Sequence, residues 1–520
     1  MFRLFANLWR LARVGATFAR TGALSRIFEE FDPPPYARTV LWIITLPMGP
    51  FGLKGDASLP PVPRAINALG PAYIKFGQIL STRPDIVGAD LARQLRLLQD
   101  ALPPFPVAEA RAIVEAELGK PVDLVFSQFD PPIAAASIAQ VHAAITRDTG
   151  RKVAVKVLRP NVERQFRADI KAFYFIARTL EWLIPSTRRL RPTAVVAHFD
   201  SVVSAEMDLR LEASSAAEYR ENTKDDPLFK VPAIFWEMSA RRVMTLEWVD
   251  GAPLGDNDAL HAMGVNLPDL AVRVCQAFLR HALIDGFFHA DMHQGNLKVR
   301  ADGAVLALDF GVMGRLDALT RRYYAEILYG FAKRDYRRVA EVHFEAGYVP
   351  ADRDIDAFAQ ALRSIGEPIF GMDVSRISMA RLLAHLFETT ERFGMRTRTE
   401  LLLLQRSMVV VEGVARSLDP QCNMWNVIRP VAEVWMKDNL GPKAALRDLR
   451  TAAVTIARYV PRLPGIAEQF VIAAQREPGP PPQPAPAGGG IAAGLVGGLL
   501  GGLLGGAGVA GAIWAFYTLN

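Results

Sequence analysis

Phe288-His289-Ala290-Asp291-Met292-His293-Gln294-Gly295-Asn296-Leu297, followed by Leu308-Asp309-Phe310-Gly311, is the stretch whose reading decides the fold. Asp291 and Asn296 stand five residues apart, and a second acid, Asp309, follows shortly after. Residues 297–301 and 304–308 read as two short strands around Asp302-Gly303, a strong hairpin signal. The hairpin brings the second acid back toward the loop. A carboxylate at Asp309 and an amide oxygen at Asn296 can then hold Mg²⁺ against phosphate oxygens. Asp291 is left to position or activate a nucleophile. His289 and His293 are four apart, as metal ligands can be. No third ligand stands nearby, which favours a role in loop structure.

The offsets match the kinase catalytic-loop pattern HRDxxxxN and the DFG triplet, in the order that a kinase C-lobe uses. Upstream, Lys152-Val153-Ala154-Val155-Lys156-Val157-Leu158 alternates as a strand. It places Lys156 on one face with Ala154 and Leu158, and it matches the VAIK pattern, whose lysine contacts α/β-phosphates. Its acidic partner is expected on a long helix from Ala194 to about Asn222. There Asp208 and Glu212 share a face, and Glu212 is the chosen partner. No G-x-G-x-x-G precedes Lys156. Ala134, Ala135, Ala136, Ser137 and Ile138 stand in that place, with backbone N–H groups for phosphate but Cβ atoms that limit close approach. No A-P-E follows Asp309. Residues 242–251 occupy the position of a kinase hinge, and backbone groups from Glu247 to Val249 are the candidates for an adenine edge.

The chain has 520 residues, half of them hydrophobic, with net charge +6 and two cysteines, Cys275 and Cys422. Those cysteines stand far apart in sequence and read as buried apolar filler, with a reducing compartment as the simpler setting. The positive balance suits anionic partners, yet no nucleic-acid module or zinc spacing is present. A membrane is the better match. Arg3, Arg10, Arg13, Arg20 and Arg26, interleaved with Phe2, Leu4, Phe5, Leu8, Trp9, Leu11 and Val14, read as a basic amphipathic helix. Lying on anionic lipid, packing on the fold and mitochondrial targeting remain open for it. A helix is expected from Pro71 to near Arg83. Residues 476–490 form a Pro-, Ala- and Gly-rich linker. Ile491 to Tyr517 then runs 27 residues without a charge and predicts a transmembrane helix. Its glycines recur every four residues, as at Gly494, Gly498, Gly502 and Gly506, which predicts self-association.

Together these motifs resemble the UbiB/ADCK family of atypical kinase-like proteins, which support ubiquinone biosynthesis. Lys75-Phe76-Gly77-Gln78 looks like the family's KxGQ motif. Ala134–Ser137 looks like its alanine-rich nucleotide loop, and Glu206-Met207-Asp208 like its ExD motif. Residues 289–296 are similar to its HADPHPGN loop, with Met292 and Gln294 where that loop usually has prolines. The resemblance spans roughly residues 60–475 and the tail. It implies an α+β, atypical protein-kinase-like two-lobed fold. A helical extension over 1–105 would carry the KxGQ helix, with an N-lobe over 106–250, a C-lobe over 251–475 and the transmembrane helix over 491–517. It implies ATP and Mg²⁺ as cofactors. Regulatory roles fall to Lys75 and Gln78, with Lys75 contacting the ExD acids Glu206 and Asp208. The expected activity is an ATPase that handles hydrophobic quinone precursors at a bacterial inner membrane, its kinase-like domain cytoplasmic; a mitochondrial inner membrane is the alternative. Expected partners are membrane lipids, quinone precursors and other ubiquinone-biosynthesis proteins, with no nucleic acid. The alternatives are a nucleotide-gated lipid-binding scaffold and a protein or small-molecule kinase.

Overall fold

In the computed structural model the described residues are 2–31, 50–81, 89–98, 103–183, 191–371, 389, 392–395 and 399–440. The linker over 476–490 and the apolar run 491–517 lie outside them. No helix among the described residues is long and apolar enough to cross a membrane. The described chain forms two compact units. The first holds residues up to Leu211 together with Ile234–Trp248; the second holds Glu212–Ala233 and the chain from Val249 onward.

The first unit is built on an antiparallel sheet of β1 (Phe126–Ala135), β2 (Ala139–Thr146), β3 (Lys152–Leu158) and β5 (Val243–Glu247), in the order β1-β2-β3-β5. The short β4 (Phe229–Lys230) belongs to the second unit. Alternation along β3 works as a period of two requires. Val153, Val155 and Val157 are buried against Phe105, Ile113 and Val114, and the helix Val107–Leu118 supplies the last two of these. Ala154 and Lys156 are left half-buried on the other face.

A separate core joins the N-terminal helices. Val14, Phe18 and Leu24, from helices Phe2–Thr21 and Ala23–Phe31, pack with Val62, Ala65 and Ile66 of helix Pro61–Leu69 and Ile74 of helix Pro71–Ser81. Of the alternatives left open for the basic first helix, packing on the fold therefore holds for its C-terminal half. Arg20 adds hydrogen bonds to the Pro50 and Gly52 carbonyls at 2.7 and 2.8 Å.

The expected continuous helix from Ala194 to Asn222 is instead two, Pro192–Glu206 and Leu209–Asn222. Asp208 breaks it. Its carboxylate accepts the Arg210 N–H at 3.1 Å, while the Leu209 N–H turns to the Arg241 carbonyl at 2.9 Å. A short acid that satisfies a first-turn donor competes with the helical ladder. Asp208 therefore stands at the start of the second helix, and Glu212 lies in that helix's first turn.

In the second unit, helix Leu267–Arg280 runs into a single π-helical turn, His281–Asp285. Gly286, at φ +69°, then turns the chain into β7 (Phe287–His289). The hairpin is present, with β8 (Leu297–Val299) paired to β9 (Val305–Ala307), but its strands are shorter than expected. The Gly303 N–H bonds the Arg300 carbonyl at 2.9 Å and the Arg300 N–H bonds the Ala304 carbonyl at 3.0 Å. With Gly303 at φ +76° this is the three-residue loop with a glycine bulge, not a two-residue turn. The sheet order is β4-β9-β8-β6, where β6 is Ala252–Pro253, and β10 (Met313–Arg315) pairs with β7. Helices Ala318–Lys333, Thr399–Leu418 and Met424–Leu440 belong to the same unit. The two cysteines, distant in sequence, meet here. A hydrogen bond to Cys422, together with burial, pushes the Cys275 thiol well up, and both remain free thiols.

Gly314 lies under Phe288, and a Cβ there would sit 2.2 Å from the Phe288 ring, which is buried. Gly314→Ala should therefore force the ring off its rotamer and lower stability by about 1–3 kcal/mol, read by urea unfolding.

Candidate phosphate and metal site

In the first unit, strand register aligns the candidate phosphate residues. Ala134 pairs with Val141, Val141 with Lys156, and Lys156 with Met244, so they form one row across the sheet. The alanine loop closes the β1–β2 hairpin at the end of that row. The Ala136 N–H donates to the Ala139 carbonyl at 2.8 Å. Arg159, just past β3, donates Nε to the Ala136 carbonyl at 3.0 Å and its N–H to the Ile138 carbonyl at 2.8 Å. The expectation that the loop leaves its amides to phosphate is thus corrected at Ala136, whose N–H is spent on the turn. Arg159 went unremarked in the sequence because its partners are backbone atoms. Glu247 is exposed at the far end of β5, opposite Val153. The division between the units falls directly after Trp248.

Lys75 Nζ lies 2.8 Å from Glu206 Oε1, with 19% and 9% of the side chains exposed. Phe76, the next residue, packs on Phe173 and Phe199 at 5.1 and 5.2 Å between centroids, which fixes the helix over this pair. Gln78 donates to the Leu98 carbonyl at 3.2 Å. Asp208 is gripped by Arg210, Nε and Nη2 lying 2.9 and 2.6 Å from its two oxygens. That hydrogen-bonded guanidinium holds the Asp208 carboxyl below its ordinary range.

In the second unit, the loop after β7 gathers the acids and the amide. The Asp291 N–H donates to His289 Nδ1 at 3.1 Å. His289 is therefore the neutral tautomer with its proton on Nε2, and burial lowers its pKa, consistent with that form. The His293 ring caps the next turn, accepting the Gly295 N–H at 3.0 Å, and its Nε2 lies 3.8 Å from Asp291. Both histidines are loop-building groups. Asn296 Nδ2 donates to the Asp291 carbonyl at 3.0 Å, which leaves its Oδ1 for a cation. Asp309 Oδ1 accepts the Gly311 N–H at 3.0 Å. Glu212, the chosen partner of Lys156, lies 3.5 Å from the Phe310 N–H within this unit, while Lys156 belongs to the first.

Among the described residues no group of three His, Cys, Asp or Glu side chains could hold a metal ion. A Mg²⁺ bound by phosphates needs only one or two protein carboxylates. An oriented amide oxygen at Asn296 and a carboxylate at Asp309 fit that requirement.

Beneath the loop lies a buried aromatic cluster that sequence reasoning missed. Tyr219 bonds His281 Nδ1 at 2.7 Å, and Phe310 packs near Tyr219 and His289 at 6.3 and 6.1 Å between centroids. Burial drives the His281 pKa down to about 3. His281 stands where helix Leu267–Arg280 passes into the π turn, and no local pattern announces its partner Tyr219.

A strand lysine, an Asp/Asn loop and a DFG acid mounted on these two units define a kinase-like protein. The family comparisons agree. The model of the ABC1 atypical kinase-like domain matches residues 97–343, and that of the UbiB helical domain matches residues 362–423. The chain is 40% identical over 421 residues to Probable protein kinase UbiB of Marinobacter nauticus, covering 80% of this chain and 77% of that one. It belongs to the UbiB family of ABC1 atypical kinase-like proteins. Among solved structures, the complex of Rv3197 with erythromycin from Mycobacterium tuberculosis matches with a TM-score of 0.48 at 24% identity, over 70% of this chain and 91% of that one.

Two outcomes follow from this geometry. Lys75→Met removes the ammonium from the mostly buried Glu206 carboxylate, so the unfolding free energy should fall by about 2–4 kcal/mol, and adding Glu206→Gln should restore most of it; urea unfolding of the three variants checks this. The second concerns pH. His281 and His343, held down to about 3 and about 4 by burial, contribute stability above pH 6.5 that is lost as pH falls through that window. Asp285, pushed up to about 6 by burial, acts oppositely between pH 6 and 3.8. These three groups alone give one proton taken up on unfolding, and His142 and His289, whose pKa values burial also lowers, add to it, so from pH 6 to 4.5 the unfolding constant should rise at least about tenfold per pH unit, and His281→Gln should reduce that slope.

Proposed function

We propose that the protein is an ATP-dependent auxiliary of ubiquinone biosynthesis that hydrolyses ATP while handling hydrophobic quinone precursors at a membrane. The observation that carries the phosphate chemistry is the Asn296 amide, whose bond to the Asp291 carbonyl through Nδ2 leaves Oδ1 for a cation that the Asp309 carboxylate would share. Mg²⁺ held there would neutralise charge on the phosphate oxygens. Lys156 supplies positive charge to the α/β-phosphates, and Asp291 orients the attacking water. Membership in the UbiB family supports the pathway. The uncharged run over 491–517 supports a membrane anchor, and Arg476, fifteen residues before it, supports a kinase-like domain on the cytoplasmic side of a bacterial inner membrane through the positive-inside bias. Its glycine stripes support pairing of two such anchors.

A second reading, a nucleotide-gated lipid-binding scaffold, draws support from the alanine loop. With the Ala136 N–H spent inside the turn, the loop offers phosphate one donor fewer. Phosphate release from ATP, measured with full-length protein in detergent or vesicles with candidate quinone precursors, separates the readings. Asp309→Asn and Lys156→Ala should each lower it at least about a hundredfold. Full activity in both variants sinks the mechanism. No release in the unmodified protein, with ATP still bound, favours the scaffold.

A further inference from the structure

Helix Thr399–Leu418 touches the loop that carries Asp291 and Asn296 at two points. Ser407, fully buried, places Oγ 2.9 Å from the Ala290 carbonyl, one residue before Asp291, and 2.8 Å from the Leu403 carbonyl of its own helix. At the helix end, Ser417 Oγ donates to the Val414 carbonyl at 2.7 Å, so toward other groups it is an acceptor. Gln294, two residues before Asn296, donates Nε2 to that oxygen. Asn257 Nδ2 reaches the Ser417 carbonyl at 3.3 Å, one of the last-turn carbonyls that lack a helical partner. Gly255 makes room for the tether, since a Cβ there would sit 3.0 Å from Gln294 Oε1. The two serines are ten residues apart, about 15 Å along the helix axis. One rigid element thus grips the loop at both ends.

The loop depends on such outside anchors. Backbone bonds hold its ends, the Ala290 N–H to the Val312 carbonyl and the Leu308 N–H to the Asn296 carbonyl, both at 3.0 Å, and within it run the His293 N–H to the Asp291 carbonyl at 2.9 Å and the Asn296 N–H to the His293 carbonyl at 3.0 Å. Met292, fully buried, gives it an apolar anchor midway. We propose that Gln294 and Ser417 are positioning residues for Asp291 and Asn296, with Ser407 as the second grip, so that the helical domain sets the geometry of the phosphate chemistry. The inference rests on the reading of Asp291 and Asn296 as phosphate- and metal-handling groups.

The tether can be replaced covalently. Gln294 opens a 3₁₀ turn, where the first N–H has no intrahelical acceptor and proline is favoured. The preceding His293 has φ −80° and ψ 163°, the extended conformation required before proline. A proline ring at 294 would therefore stiffen the loop without needing Ser417.

The test uses the full chain and two readouts, amide hydrogen exchange over residues 290–296 and the kcat and KM of ATP hydrolysis. Gln294→Ala and Ser417→Ala should each speed loop exchange and lower kcat by about five- to tenfold, the effect of one lost hydrogen bond, while KM for ATP and Tm stay put. The double variant should be no worse than either single one. Gln294→Pro should restore both readouts, and adding Ser417→Ala should then change neither. The inference is overturned if Gln294→Ala leaves loop exchange unchanged, if the two losses multiply, or if the proline variant exchanges as fast as the alanine one. The expected exchange pattern in a protein that hydrolyses no ATP would uphold the clamp and sink the ATPase reading instead.

Discussion

The Asn296 side-chain amide donates to the Asp291 carbonyl, and the arrangement of the candidate site in the second unit depends on that one bond. An asparagine amide has a donor end and an acceptor end, and using the donor inward turns the acceptor outward. Sharing a backbone atom with Asp291 also fixes the distance between the two functional residues. Such a bond persists only if the Asp291 peptide is itself held. His289 does this from below, accepting the Asp291 N–H with a ring that burial keeps neutral. Ser407 and Gln294 hold the same loop from the side. These anchors are side-chain bonds to residues on either side of the loop, His289 in the preceding strand and Ser407 and Ser417 in helix Thr399–Leu418.

The first unit solves its positioning problem differently. A four-stranded register sets Ala134, Val141, Lys156 and Met244 in one row through backbone pairing. A one-residue slip in β3 would move Lys156 to the side of Val153, Val155 and Val157, where burial forbids an uncompensated charge. The apolar core is thus what selects the register, and the register is what aims the lysine. The alanine loop is the exception, since it lies beyond the paired strands. Arg159 secures it through two carbonyls, at the cost of a loop with less freedom to reshape around a ligand.

The Pro192–Asn222 region shows how far local periodicity reaches. Helical spacing was legible on both sides of Met207, yet it did not reveal the break at Asp208. The break depends on the Arg241 carbonyl, which arrives from a distant strand-flanking turn to take the Leu209 N–H. The same limit applies to the cysteines. Sequence separation says nothing about two thiols that helix packing brings together.

By itself the sequence determined the kinase-like class and most of the secondary structure. Asp291, Asn296, Asp309 and Lys156 stand out as candidates because phosphate and metal chemistry demands fixed residue types at fixed offsets. The β3 alternation and the Asp302-Gly303 hairpin follow from backbone preferences that act over a few residues. Only the tertiary structure decided what holds those groups in place. Tyr219 and His281 under the loop, Ser407 and Ser417 beside it, and Arg159 behind the alanine turn act through single hydrogen bonds to residues far away in sequence. A serine in an apolar helix or an arginine after a strand has no pattern to read. Its role exists only once the fold has supplied its partner.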